Sequence, residues 1–275
     1  MKWTILGGDG FVGRAIQEVL RQSNEEFVIP SLQEVKERIQ GRHLGHVIYC
    51  IGLTADFRQR PLDAMQAHLC VLHQILTDNH CESITYLSST RVYSGLDSTE
   101  EDRSLLVNPL HLSDLYNLSK LSGESLCLNS GIPARIVRLS NVYGHSKNPN
   151  FDSPLFIPSL LRESVLEKKL VFRSAPASAK DYIHLEDAAQ FILLIASKGK
   201  SKIYNVAYGQ NISNSQIAEV LCQHGIEVEF LPDAEPIWFH PIDTNRVQSE
   251  FFTSRHCLLN DLPELLNAFR KHFQP

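Results

Sequence analysis

The chain has 275 residues, of which 43% are hydrophobic and 21% are charged, and its formal net charge at pH 7 is −5. This composition is that of an ordinary folded protein and excludes a disordered chain. The negative balance gives no field that attracts nucleic acid or an anionic membrane, so neither is expected as a partner, and an anionic substrate would need a local basic pocket. No apolar run approaches the roughly 18 residues that a membrane-spanning helix needs.

The N-terminal segment and the cysteines together predict a cytoplasmic protein. MKWTILGGDG runs directly into a predicted strand and a glycine loop, without the charged, apolar and cleavage regions of a signal peptide. The six cysteines lie far apart and include no C-x-x-C pair, so we expect buried, reduced thiols rather than disulfides. Neither the cysteines nor the histidines show metal-ligand spacing, and no metal is expected.

Short apolar runs alternate with helical patterns along the first 144 residues. The predicted elements in chain order are the strand KWTIL, a helix from about Val12 to Gln22, the strands EEFVIP and HVIYCIG, a helix from about Leu62 to Asp78, the strand SITYLSS, a helix from about Leu112 to Asn129, and the strand ARIVRLS. Continuous apolar strands that alternate with helices predict a parallel sheet covered on both faces. The expected fold is therefore α/β, a Rossmann-type doubly wound parallel sheet.

The pattern changes after Gly144. HSKNPNFDSP has the composition of a loop, and the alternation returns only in part, at DYIHLEDAAQFILLIAS and KIYNVAYG. We therefore expect residues 1–144 and 182–205 to form the dinucleotide-binding domain. Residues 145–181 and 206–275 would form a smaller, interleaved substrate-binding region over the carboxyl edge of the sheet.

The segment WTILGGDGFVGRAIQEVL predicts a strand, a glycine loop and a helix. Gly8, Gly10 and Gly13 satisfy G-x-G-x-x-G, and Gly7, Gly10 and Gly13 also satisfy G-x-x-G-x-x-G. The first glycines allow a tight turn and a close approach to pyrophosphate, the last lets helix pack on strand, and the helix N-terminus offers free N–H groups to phosphate. The expected cofactor contacts in this segment are Gly7, Gly10, Phe11, Val12 and Gly13.

The sequence leaves NAD and NADP open as the cofactor. An acidic residue about 20 positions after the loop normally binds the adenosine ribose. Here the second strand ends at Ile29, Pro30 and Ser31, and none of these is acidic. Gly52, which follows the strand HVIYCIG, is a further expected cofactor contact.

Tyr116 and Lys120 lie four residues apart on a predicted helix, so both side chains emerge on one face. A phenol in water has a pKa of about 10, and a neighbouring ammonium lowers this pKa because it favours the phenolate. Tyr116 could then exchange a proton with a hydroxyl or carbonyl while hydride moves at a nicotinamide, and Lys120 would also hold the nicotinamide ribose. This spacing also arises by chance on many exposed helices. The segments around the pair are therefore needed to judge whether it is functional.

Those neighbours carry a resemblance. YLSSTRVYSG supplies Ser89 at the end of a strand, where doubly wound folds bind ligands, and RIVRLSNVYG follows as the next strand and turn. With the glycine loop and the tyrosine–lysine pair, these segments resemble the extended short-chain dehydrogenase/reductases, the NAD-dependent epimerase/dehydratase family of nucleotide-sugar enzymes. KDYIHLEDAA, IYNVAYGQNISNSQIAEVL and DTNRVQSEF resemble later segments of that family, so the resemblance covers nearly the whole chain.

The resemblance implies a catalytic triad of Ser89, Tyr116 and Lys120, with Tyr116 as general acid/base. It implies a nucleotide-sugar epimerase in which bound NAD(P) oxidises a sugar hydroxyl and returns hydride to the other face. A NAD(P)H-dependent 4-ketosugar reductase needs the same residues and stays an alternative, as does a dinucleotide-binding sensor without turnover. A homodimer is also implied, formed by the helix at residues 62–78 and the Tyr116 helix.

The resemblance further implies where the substrate binds. Asn141 matches an asparagine that touches the sugar diphosphate, although it could simply form the turn before Gly144. Lys180 stands where the family commonly has a diphosphate-binding arginine, and a lysine lacks the bidentate fork of that residue. Arg246 matches a basic residue near the nucleotide.

Two departures from the family pattern concern the reacting end of the site. Thr90 and Arg91 occupy the positions where 4,6-dehydratases carry an Asp-Glu pair, and a cation cannot act as the base of that elimination, which disfavours a dehydratase. His68 stands where the family usually has asparagine, and could join a proton relay or be structural. We expect Arg91 and His68 at the substrate. Arg58 and Arg60, after the third strand, could meet phosphates or lie on the plain surface.

Overall fold

The computed structural model describes residues 1–37, 41–53, 57–145 and 150–274. The strands are β1 (Lys2–Leu6), β2 (Glu26–Val28), β3 (His43–Tyr49), β4 (His80–Ser89), β5 (Ala134–Leu139), β6 (Asn141–Tyr143), β7 (Lys169–Phe172), β8 (Ala179–His184), β9 (Ile203–Val206), β10 (Asn211–Ser213) and β11 (Glu227–Phe230). The α-helices are α1 (Phe11–Gln22), α2 (Leu32–Glu37), α3 (Pro61–Met65), α4 (Val71–Asp78), α5 (Leu112–Asn129), α6 (Phe156–Glu167), α7 (Leu185–Lys198), α8 (Asn214–Gln223), α9 (Asn245–Glu250) and α10 (Leu258–Phe273).

A six-stranded sheet with the order β2-β1-β3-β4-β5-β9 forms the centre of the N-terminal part. All of its neighbouring strands run parallel. From β1 the chain goes first to β2 on one side and then to β3 on the other, so the strand order reverses between β1 and β3. Doubly wound sheets bind ligands in the crevice outside the carboxyl ends of the strands at such a point. The predicted Rossmann-type fold is therefore confirmed.

Helices cover both faces of this sheet. Ile5 and Leu6 are neighbours in β1 and point to opposite faces, as successive strand residues do. Ile5 packs in one buried cluster with Ile16 of α1 and Phe191 of α7, whereas Leu6 packs in another with Leu72 of α4. The apolar run of β1 thus serves two cores at once, which explains why it lacks a polar alternation.

The rest of the chain builds a second, smaller core. Strands β10, β8 and β6 form a three-stranded sheet, and β11 pairs with β7. Leu161 of α6, Leu221 of α8 and Leu262 of α10 are buried together in its apolar cluster. The expected division assigned residues 182–205 to the dinucleotide-binding domain. Strand β8 crosses its boundary at residue 182 and lies in the second sheet, and the division stays a prediction. The apolar pattern of β8 is compatible with either sheet, so the sequence alone could not decide.

The predicted helix over residues 62–78 is interrupted. A π-helical turn at Gln66–Cys70 separates α3 from α4 and contains His68, whereas α5 has the predicted bounds. A π turn inserts an extra residue without changing the apolar pattern enough to be recognised in the sequence. Such turns are frequent at functional sites.

Three further features concern the cysteines, the length of the helices and the apolar side chains that are exposed. All six cysteines are free thiols. Within the described ranges, no helix is long and apolar enough to span a bilayer. Leu62 in α3 is 80% exposed and Leu112 at the start of α5 is 49% exposed, so the helices expected in a dimer keep apolar surface. The homodimer stays a prediction.

Candidate active site

The glycine loop fits a dinucleotide pyrophosphate. Gly7 has a φ of +84°, and a Cβ there would lie 2.8 Å from the backbone nitrogen of Ile51. A Cβ on Gly13 would lie 2.5 Å from the Gly7 carbonyl oxygen. Gly10 is the N-cap of α1 and supplies no side-chain cap, so the first N–H groups of the helix have no side-chain acceptor at the cap. The backbone at Gly10, Phe11 and Val12 would therefore hold the phosphates.

Tyr116 and Ser89 meet at the carboxyl edge of the sheet. Tyr116 lies in the second turn of α5 and is 4% exposed, while Ser89 is the last residue of β4. Burial raises the pKa of Tyr116 to about 12, against which hydrogen bonding with the Ser89 hydroxyl and the charge of Arg91 lower it. Without a ligand, Tyr116 is a protonated phenol at neutral pH.

Lys120 lies beneath Tyr116 and points into the sheet. Its Nζ donates to the Leu87 carbonyl oxygen at 2.9 Å and lies 5.9 Å from the centroid of the Tyr116 ring. Burial lowers the pKa of Lys120 to about 7, while the charges of Glu124 and Cys50 raise it. We expected the Lys120 ammonium to favour the Tyr116 phenolate, but the cation that lowers the Tyr116 pKa in this structure is Arg91.

A buried ion pair fixes α5 against the sheet. Arg138 of β5 donates to both carboxylate oxygens of Glu124, at 3.0 and 2.7 Å. Ser88, next to Ser89, donates to the same carboxylate at 2.5 Å, and Arg138 also donates to the Tyr93 hydroxyl at 2.7 Å. Because Glu124 lies one helical turn after Lys120, this network sets the height of the catalytic helix relative to β4.

His68 is held by the protein on both of its ring nitrogens. It is fully buried, its Nδ1 lies 2.8 Å from the Ser119 hydroxyl, and its Nε2 accepts from the Leu53 N–H at 3.3 Å. Burial and the charge of Lys120 lower its pKa to about 2, so the ring is neutral. With both nitrogens engaged, the structure supports the structural alternative for His68, and a contact with the substrate stays a prediction.

Gly52 is located where a side chain would crowd His68. A Cβ there would lie 3.2 Å from Nε2 of His68 and 3.5 Å from Nζ of Lys120. The glycine therefore lets the backbone after β3 pass close to the catalytic lysine. This position agrees with its expected role as a cofactor contact, which stays a prediction.

Three cations surround the entrance to Tyr116. The Arg58 and Arg91 guanidinium carbons lie 4.7 and 5.5 Å from the centroid of the Phe57 ring, and that ring lies 4.8 Å from the Tyr116 ring. Burial lowers the pKa of Lys180, and the charges of Arg91 and Arg58 lower it further. A local group of positive charges, as an anionic substrate requires, thus lies beside Tyr116 in a protein of negative net charge.

The two remaining predicted substrate residues, Asn141 and Arg246, bond to other parts of the protein. Asn141 begins β6 and donates to the Asp181 carbonyl oxygen at 2.8 Å, next to Lys180 along the chain. Arg246 pairs with Glu101 and Asp102 and donates to the carbonyl oxygen of Ile203, at the amino end of β9. The structure does not bring Arg246 to Tyr116, and its contact with a nucleotide stays a prediction.

Two residues that the sequence did not single out belong to the site. Phe57 joins both arginines to Tyr116, and Ser119 joins His68 to the Tyr116 carbonyl oxygen, to which it donates at 2.7 Å. Ser119 directly precedes Lys120, so the sequence shows that it lies near the site. Its contact with His68 could not be predicted, because His68 is 51 residues away along the chain. Nothing in the spacing pointed to Phe57.

A histidine pair lies apart from these residues. His184, Glu186 and His256 bring one possible metal-ligand atom each within 4.8 Å of one another. The two imidazole rings stack with centroids 3.9 Å apart and an interplanar angle of 20°, so their in-plane lone pairs run side by side instead of converging. His184 also accepts from the Glu186 N–H as the cap of α7. This arrangement favours a structural role.

The chain was compared with known proteins. Residues 3–207 match the model of the NAD-dependent epimerase/dehydratase family. A dTDP-glucose 4,6-dehydratase of Streptomyces griseus is 26% identical over 203 residues, which cover 69% of this chain and 59% of that enzyme. A GDP-6-deoxy-D-mannose reductase of Pseudomonas aeruginosa is 23% identical, over 94% of this chain and 89% of the reductase.

Solved structures show the same fold. MoeE5 in complex with UDP-glucose and NAD has a TM-score of 0.79 and 19% identity, with all of both chains covered. The complex of MoeE5 with UDP-glucuronic acid and NAD has the same TM-score and identity and covers 99% of this chain and 100% of MoeE5. These likenesses support the fold, and the activity of this chain is argued from its own residues.

The buried ammonium predicts a pH-dependent effect of Lys120→Met. The folded pKa lies below the ordinary 10.5, so between pH about 7 and 10.5 the unfolded chain binds more protons and stability rises with pH. The variant lacks this gain. The unfolding free energy of the wild type minus that of Lys120→Met should therefore increase as the pH rises, by up to about 1.4 kcal/mol per pH unit. Urea unfolding at several pH values in this window measures it, with exposed Lys271→Met as the control. A difference that stays constant with pH would contradict the depressed pKa.

Proposed function

Because the chain belongs to the NAD-dependent epimerase/dehydratase family, we propose that it is an NAD(P)-dependent nucleotide-sugar epimerase that acts by transient oxidation of a sugar hydroxyl. The observation that carries the proposal is the meeting of Tyr116 with Ser89 above Lys120, at the sheet edge that also holds the glycine loop. A dinucleotide-binding sensor would not need this acid/base arrangement. NAD and NADP stay open as the cofactor.

Each catalytic residue has a defined task in this reaction. A bound nicotinamide would supply the acceptor and donor of hydride for the sugar carbon. Tyr116 removes the proton of the sugar hydroxyl and later gives it back, and Ser89 holds the same oxygen by a hydrogen bond. Lys120 orients the nicotinamide ribose from beneath. Gly10, with the residues that follow it, anchors the pyrophosphate.

The electrostatics determine when Tyr116 can act as a base. Its pKa of about 12 in the ligand-free protein means that a phenolate costs several kcal/mol at neutral pH, at about 1.4 kcal/mol per pKa unit. Positive charge next to the phenol lowers this cost, and Arg91 already provides some. Further positive charge from bound ligands would therefore increase the fraction of Tyr116 that is phenolate and available as a base.

The second candidate is a NAD(P)H-dependent 4-ketosugar reductase. Tyr116 is protonated in the ligand-free protein, and this is the state that must donate a proton to a ketone oxygen. The match to a reductase over 94% of this chain supports the same alternative. The cofactor content of the purified protein separates the two, because an epimerase regenerates and retains its cofactor, whereas a reductase exchanges it at each turnover.

We also propose that the protein acts as a homodimer in the cytoplasm. The exposed Leu62 and Leu112 on α3 and α5 support the dimer, because neighbouring apolar side chains on helices favour burial against a partner. The free state of all six cysteines supports a reducing compartment.

Tyr116→Phe tests the proposed acid/base. The fold and cofactor binding should persist, while turnover of the nucleotide sugar falls by about 10²–10⁴, the usual contribution of a positioned acid/base. Rates are measured with a panel of nucleotide sugars and both cofactors. Tyr204→Phe is the matched control, because its hydroxyl contacts Ser201 and Glu250 away from the site. A Tyr116→Phe rate close to that of the wild type would exclude the assignment.

We further predict no 4,6-dehydratase activity, despite the dehydratases among the relatives. Elimination of water needs one group to remove a proton and another to protonate the leaving hydroxyl, and tuned carboxyl groups do both. Thr90 and Arg91 follow Ser89 here, and neither supplies a carboxyl group. The assay is the absorbance of a 4-keto-6-deoxy product in alkali after incubation with nucleotide hexoses. A clear signal would mean that other residues supply the acid and the base.

A further inference from the structure

The cations beside Tyr116 stand at the reacting end of the site. The backbone N–H of Arg91 donates to the Ser89 hydroxyl at 3.2 Å, so Arg91 is tied to the hydroxyl that would hold the reacting oxygen. Its guanidinium lies against Phe57, whose ring in turn packs on Tyr116. Arg58 lies against the same ring and adds a second positive charge. An anionic group bound here would sit within a few bonds of the reacting carbon.

Arg91 is a half-buried cation with a buried donor that is not used. Its Nε is buried and has no hydrogen-bond partner within the described part of the chain. Two other arginines of the described chain are paired with carboxylates, Arg138 with Glu124 and Arg246 with Glu101 and Asp102. The charge of Asp114 acts on Arg91 from a distance, but no carboxylate bonds to its buried Nε within the described residues. A buried donor without an acceptor is costly, and an anionic ligand group would remove this cost.

The chemistry of a nucleotide sugar limits what this anionic group can be. The diphosphate is attached to C1, which lies across the sugar ring from C4. For a reaction at C4, the diphosphate therefore points away from Tyr116 and Ser89. The neighbouring carbon, C5, carries C6, which is a neutral hydroxymethyl group in a hexose and a carboxylate in a uronic acid. Of these two groups, only the carboxylate has a charge opposite to that of Arg91 and can form an ion pair with it.

We propose that the nucleotide sugar of this chain is a uronic acid whose C6 carboxylate is bound by Arg91, next to the reacting carbon. The planar guanidinium matches a carboxylate through two parallel hydrogen bonds, which a lysine could not provide. Arg58 and Lys180 add positive charge around the same space. This inference rests on the proposed function and narrows its substrate class.

The experiment compares ligands that differ only at C6. Binding of UDP-glucose and UDP-glucuronic acid, and of GDP-mannose and GDP-mannuronic acid, is measured by calorimetry in the presence of NAD+ or NADP+. We expect the uronic acid of one pair to bind at least about 10-fold more tightly, as a charge-assisted hydrogen-bonded pair predicts. This comparison uses the unaltered protein and does not depend on the folding of any variant.

Arg91→Gln then tests the assigned residue. The variant should weaken uronic acid binding by about 10- to 100-fold and bring the ratio within each pair close to one. Arg42→Gln is the matched control, because Arg42 is exposed just before β3, at the amino edge of the sheet. The control should retain the preference for the uronic acid.

Each contrary result has a separate meaning. Equal or weaker binding of the uronic acids by the wild type would overturn the inference while nucleotide-sugar binding stands. Equal weakening of both members of a pair by Arg91→Gln would assign Arg91 to the diphosphate and also overturn it. A preference that survives in Arg91→Gln would refute the role of this residue. Failure of every nucleotide sugar to bind would instead contradict the proposed function itself.

Discussion

The ion pair between Glu124 and Arg138 is the interaction on which the site depends. It lies between the catalytic helix and the sheet, and both partners are almost completely buried. Removal of either one would leave an uncompensated charge in the core, at a cost of about 3–5 kcal/mol. Because Ser88 also binds Glu124, the helix with Lys120 and the strand with Ser89 are held as one unit. The relative position of Ser89 and Lys120 thus depends on a contact between residues that are not themselves proposed to be catalytic.

Burial and charge act in opposite directions within this unit. Burial keeps Tyr116 protonated and pushes the Lys120 pKa to about 7, so neither residue is held firmly in its charged form without a ligand. Three cations lie beside this buried pair, namely Arg58, Arg91 and Lys180. The charge of Arg91 opposes the effect of burial on the Tyr116 pKa. The proposed acid/base role of Tyr116 and the proposed binding of an anionic group by Arg91 therefore both depend on the difference between a dry interior and positive charges beside it.

The sequence predicted the parts of the site that depend on local spacing. The bounds of α5, the glycine turn and the order of Ser89, Tyr116 and Lys120 all follow from patterns a few residues long. It did not predict the π turn around His68 or the sheet to which β8 belongs, because these depend on packing between distant segments. It also did not predict the ion pairs of Arg246, since a basic residue looks the same whether its partner is a carboxylate or a phosphate.

The most direct test of this account is the titration of the Tyr116 phenol, followed by NMR of tyrosine labelled at the ring carbon that bears the hydroxyl, with Tyr116→Phe for assignment. In the ligand-free protein the midpoint should lie well above the ordinary 10.0, towards about 12, because burial disfavours the phenolate. Arg91→Gln should raise it further, because a neighbouring positive charge is lost. A midpoint at or below 10.0, or one that Arg91→Gln leaves unchanged, would contradict the arrangement of charges described for the site.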